Sequence, residues 1–311
     1  MTAALPRTGI TRKRSNVSER VIVGLLLVCA VVSVLVTLGI IAVLAGETLS
    51  FFRSVNPFKF LTGTKWAPAG GSGAGGEYGV LPLLNGSLMI AGGALLVGLP
   101  LGLATAVYLA EYAPPRVRGI LKPTLEVLAG FPTVVVGFFA LNFVTPFLLR
   151  PLFGDDRVFI FNAAAGAIAV GLMILPLIAS ISEDAMRAVP QALREGALAM
   201  GASKRVVTLR VVFPAALSGI VASVILAVSR AVGETMAVTI AAGNTPQITT
   251  NFFGSIQTLT AYIAQTVSGE AAAGTVRYES LFAVGTTLFV LTLGMNLISA
   301  RIVRRYRQEY Q

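Results

Sequence analysis

Between Val21 and Leu44 the chain runs for 24 residues without one charged side chain. About 20 mostly apolar residues carry an α-helix across the hydrocarbon of a bilayer. In that medium every backbone N–H and C=O must be satisfied within the segment, which a helix does and an open strand does not. Five further runs have the same character: Ser87–Leu109, Val127–Leu149, Phe159–Ile181, Ala215–Ala242 and Leu281–Ala300. The expected fold is therefore all-α, a polytopic membrane protein with six transmembrane helices. They form one domain over 21–300, between basic tails at 1–20 and 301–311. Charged residues make up 12% of the chain, about half the share of a soluble domain, so water is the wrong medium for most of it.

Basic residues set the orientation. Of the 24 Lys and Arg, 17 lie in the N-terminus, the loops after spans two and four, and the C-terminus, whereas six lie in the other three loops. Cytoplasmic loops hold the excess of Lys and Arg, so both termini are expected in the cytoplasm. The net charge of +10 is accounted for by this alternation, and no nucleic-acid partner is expected. The first span has no small-residue cleavage site after it and is expected to stay as a helix. Pro100 is expected to kink span two, which neighbouring helices tolerate in a bilayer. The glycine run Gly70–Gly76 in the external loop 45–86 contains a GxGxxG pattern, but no strand–helix unit surrounds it, so it reads as a flexible linker.

Several chemistries are excluded. The chain has no histidine, and Cys29 is its only cysteine, which removes disulfides, Cys/His metal sites and triad catalysis. Cys29 reads as a small apolar side chain. No GxxxxGK[ST] occurs, so the chain does not cradle nucleotide phosphates by a P-loop. No catalytic residue, metal or bound cofactor is expected.

The most informative loop, 182–214, joins spans four and five. Pro190 suits the first turn of a helix, Gly201 the left-handed position just past its end, and Ser203 the cap of a second helix. Leu193, Ala197 and Met200 fall on one face of the first helix, a small apolar surface shaped for a groove. The same loop resembles the cytoplasmic signature of importer permeases of the ATP-binding-cassette class. There E-A-A is followed after three residues by G and after nine more by I-x-L-P. Here Glu195-Gly196-Ala197 is followed at that spacing by Gly201 and by Val211-Val212-Phe213-Pro214.

The resemblance extends along the chain through Tyr78–Ser87, Leu109–Pro114, Leu128–Phe139 and Arg230–Val238, with Val136 where the pattern usually has Tyr. Together with Thr62–Pro68, these segments are similar to the C-type permease of phosphate importers. That resemblance implies the type I importer permease fold and a place in the bacterial cytoplasmic membrane. It also implies a heterodimer with an A-type permease, two ATP-binding-cassette ATPase subunits that use the ATP and Mg, and an external phosphate-binding protein. Pro190, Leu193, Glu195, Gly196, Ala197, Met200 and Gly201 would then dock into the ATPase and pass on its movement. An importer for molybdate or sulfate, or an ion-coupled secondary transporter with broken helices, are the alternatives.

Two ionisable residues lie inside span five. On an unbroken helix Glu234 is four residues past Arg230 and shares its face, beside the small residues Ser223, Ala227, Ala237 and Ala241. A charge near the bilayer centre costs about 2.5–3.5 kcal/mol on the lenient scale, so both should face protein or a watery path. Either Arg230 offers a passing phosphate a fixed cation, oriented by Glu234, or the two form a pair that joins this helix to a neighbour. Glu111 and Glu126 are expected in the headgroup region.

Overall fold

The computed structural model describes residues 17–68, 76–269, 272 and 274–306. The glycine run lies outside them except for Gly76, as do most of the N-terminal tail and the last five residues. The chain divides into two units, Met1–Gly46 and Glu47–Gln311. The first is dominated by helix α1 (Val17–Ser54, which continues into the second unit), whose large apolar side chains are exposed from Val21 to Val43.

In the second unit α2 (Pro57–Thr62) and the two-residue strands β1 (Trp66–Ala67) and β2 (Glu77–Tyr78) precede α3 (Leu81–Val107). Phe51, Phe60, Trp66, Tyr78 and Tyr262 meet edge-on there, Trp66 and Tyr262 at 4.8 Å between ring centres. Helix α3 passes through Pro100 and ends in a π-helical turn, Tyr108–Tyr112. Its main partner is α7 (Ala163–Arg187). A Cβ on Gly98 would sit 2.7 Å from the Gly171 carbonyl oxygen, so the two backbones touch as small residues allow in membrane bundles.

Span three starts later than the hydropathy predicts. Val127 and Leu128 belong to a separate helix, α4 (Pro115–Ala129), which buries none of its residues. Gly130 ends it, and Pro132 removes a donor and pushes Phe131 out of the helical region. The span itself runs through α5 (Thr133–Phe139), a π-helical stretch (Ala140–Leu149) and α6 (Arg150–Phe153).

After α7 come α8 (Gln191–Ala199), α9 (Lys204–Val207), a π-helical turn (Thr208–Val212) and α10 (Phe213–Ala215). Span five is not the single helix expected over 215–242. It bends by 69° after Ala215, runs as α11 (Leu217–Gly233), breaks at Glu234-Thr235, and resumes as α12 (Met236–Ala241). Pro214 cannot donate to the carbonyl of Arg210, which weakens the first junction. Gly233 weakens the second, where the Glu234 carboxylate takes the N–H of Ala237 and Thr260 Oγ1 donates to the Glu234 carbonyl.

The segment from Gly243 to Thr258 then folds back into the bundle. Carbonyls of Phe252 and Gly254 accept the N–H groups of Ala164 and Ala163, and the side chain of Asn162 accepts that of Ala165, so the orphan donors that open α7 are met. Helix α13 (Leu259–Ser268), capped by Thr258, and α14 (Val276–Tyr306) complete the chain. Among the described residues, five helices are long and apolar enough to cross a membrane, and six if the bent span counts as one.

Candidate functional site

The loop 182–214 folds as a helix, a tight turn and a second helix. Pro190 stands immediately before α8 in extended conformation (φ −55°, ψ 136°). Gly201 has φ +81°. Its N–H reaches the carbonyl of Leu198 at 2.9 Å, and the N–H of Ala202 reaches that of Ala197 at 3.1 Å. This paired bonding is the Schellman closure of a helix by a left-handed glycine. Ser203 does precede α9, but its side chain makes no capping bond.

No residue of α8 is buried. Leu193, Glu195 and Gly196 are exposed, Ala197 is half-buried and Met200 is 88% exposed. Leu193 on this helix and Met200 just past its end form an apolar face left uncovered among the described residues.

Arg194, which the sequence did not single out, fastens α8 to the bundle. Its Nη2 lies 3.2 Å from Glu111 Oε1 and donates to the carbonyl of Met186 at 2.7 Å, while Nη1 donates to that of Val189. The Arg194 and Glu111 side chains are 12% and 8% exposed, so Glu111, at the end of span two, is a buried ion-pair partner. Lys204 Nζ stands 5.1 Å from the ring centre of the adjacent Tyr112.

A second charged cluster holds α4 to α7. Glu183, fully buried, accepts from Arg118 at 2.9 Å and Lys122 at 2.7 Å, with Arg187 3.7 Å away. Lys122 also reaches Asp184. Burial pulls the Lys122 ammonium's pKa down, but its bonds to Asp184 and Glu183 outweigh that and raise it above the ordinary lysine value. Lys122 therefore keeps its charge at neutral pH, and its contribution fades only as pH rises through the raised value. Arg118 and Lys122, four apart on one helix face, were the available signal. Glu126 on the same helix is exposed.

In span five the break separates the two charges. Arg230 is exposed in the last turn of α11, and Glu234 is 9% exposed in the extended link (φ −67°, ψ 131°). They form no ion pair among the described residues, so the shared helix face does not exist. Ser223, Ala227, Ala237 and Ala241 are fully buried, and Ser223 bonds to Ser182 of α7.

Apolar spans, one of them broken, with an exposed helix–turn–helix between the fourth and fifth, define a polytopic permease. The chain belongs to the family described as the binding-protein-dependent transport system inner membrane component, whose model matches residues 98–308. It is 34% identical over 285 residues to the probable ABC transporter permease protein YqgH of Bacillus subtilis (strain 168), covering 90% of this chain and 88% of that one. It is 34% identical over 296 residues to the phosphate transport system permease protein PstC of Mesorhizobium japonicum (strain LMG 29417 / CECT 9101 / MAFF 303099), covering 89% and 87%. A structure of the MetNI methionine ABC transporter superposes with a TM-score of 0.54 at 20% identity, over 74% of this chain and 94% of that one. The fold is that of type I importer permeases.

Proposed function

We propose that this chain is the C-type membrane subunit of an ATP-driven phosphate importer, and that loop 182–214 couples it to a cytoplasmic ATPase. The observation that carries the coupling is α8, an exposed helix closed by a left-handed glycine and joined to the bundle through few contacts. Phosphate comes from kinship with a phosphate permease. Hydrolysis of ATP, with its Mg, belongs to two separate ATPase subunits. A second, A-type permease covers the outward face of α11, because Arg230 stands exposed on a membrane helix and a charge facing hydrocarbon is costly. An external binding protein delivers the anion.

In this reading Arg230 meets the passing phosphate, while Glu234 holds the break open by capping α12. The break itself is a feature that an ion-coupled carrier also uses; family membership favours the importer. Vesicles carrying the chain with its partners should take up phosphate, and excess sulfate or molybdate should not compete. Competition by either anion would move the assignment to that oxyanion.

The chain lies in the inner membrane with both termini, and α8, on the cytoplasmic side. In a Cys29→Ser background, an impermeant thiol reagent added outside should label a cysteine at the exposed position 268 and spare one at the exposed position 203. Labelling at 203 in sealed cells would reverse the orientation.

A further inference from the structure

We propose that the ion pair between Arg194 and Glu111 is the link through which α8 moves the second span, a role that rests on the coupling reading above. Helix α8 buries none of its residues, so apolar packing alone holds it weakly. Beyond the half-buried Ala197, its firm attachment is the Arg194 guanidinium. That group binds the carbonyls of Met186 and Val189, where α7 ends, and the Glu111 carboxylate.

Glu111 sits in the π-helical turn that closes α3. Such turns are rare and occur frequently at functional sites. The neighbouring Tyr112 is met by Lys204 from the other side of the Gly201 turn. Thus the two arms of the helix–turn–helix each place a cation on the same terminal turn of the second span. A cleft of about 450 Å³, lined by Glu111, Gln191, Arg194 and Lys204 among others, lies between them and leaves room for that turn to shift. From there α3 runs against α7 in backbone contact at Gly98 and Gly171, so a displacement of the turn enters the packed centre of the bundle. By contrast, the ion pairs of the Glu183 cluster tie α4 to α7, and among the described residues none of them is made to α8.

Arg194 and Glu111 are positioning residues, and the test is the amount of phosphate moved per ATP hydrolysed by the assembled complex. Damage that only lowers the yield of complex reduces both rates together and leaves this ratio alone. Glu111→Gln keeps an oxygen that can accept from Arg194 but removes the charge. The ratio should fall about tenfold, inside the range of coupling between linked sites, with ATP hydrolysis continuing. Glu111→Asp keeps the charge and draws it back by one methylene; it should assemble and lose less. An unchanged ratio in assembled Glu111→Gln overturns the link. If that variant does not assemble, a wild-type ratio in Glu111→Asp overturns it. Failure of the unmodified complex to couple uptake to ATP would instead sink the importer reading, and the link with it.

Discussion

Replacing Gly201 with valine should leave the protein in the membrane but silence transport. At φ +81° a β-branched residue is a genuine backbone outlier, at a cost of about 1–3 kcal/mol. A Cβ at this position would meet nothing within 4 Å, so the strain lies in the backbone and not in a clash. It falls on the closure of a helix with no buried residue, which has little packing to resist it. The expected outcome is normal insertion, uptake lost, and ATP hydrolysis no longer stimulated by loaded binding protein. Gly201→Asn, which tolerates the left-handed region better, should keep much of the activity. Wild-type transport by Gly201→Val would mean that this loop is not the coupling element.

Arg230→Gln should abolish uptake while the complex still assembles. A phosphate entering a low-dielectric passage loses hydration, and a guanidinium returns part of it through two parallel charge-assisted bonds. Lysine keeps the charge but not the fork, so Arg230→Lys should retain a rate lower by about tenfold, the worth of roughly one such bond. The other role weighed for these residues, a structural pair with Glu234, makes the opposite forecast for the double change Arg230→Gln with Glu234→Gln. With no charge left unpaired, assembly and transport should both return. The geometry favours the first outcome, because the two residues are separated by the break and unpaired among the described residues. Glutamine at 234 still offers an oxygen to the Ala237 N–H that the carboxylate accepts, so the break itself should persist. Robust transport by the double variant would rule out contact between Arg230 and phosphate.

What was legible in the sequence was what the local chain dictates. Pro190 and Gly201 bracket α8 because a missing donor and a left-handed φ are properties of single residues. The spans were legible because hydrocarbon demands length and apolarity. Their ends and breaks were less so. Hydropathy runs smoothly across Gly130 and Pro132 and across Glu234, so a window over apolar residues joins what the backbone separates. The break at Glu234 is stabilised by Thr260, 26 residues away, and Glu183 is satisfied by partners 61 and 65 residues distant. The link from Arg194 to Glu111 spans 83 positions. None of these pairings leaves a periodic trace. The fold-back of 243–258 was invisible for the same reason: its carbonyls serve the start of α7, and only the tertiary structure states which donors lack partners.

The most direct measurement is phosphate accumulation by sealed vesicles that hold this chain with its permease partner and ATPase, and with the binding protein on the outer side. Accumulation should require ATP on the ATPase side, should stop when this chain is omitted, and should be indifferent to collapse of proton and sodium gradients. Accumulation without ATP, driven by an imposed ion gradient, would contradict the importer assignment and make the chain a secondary transporter.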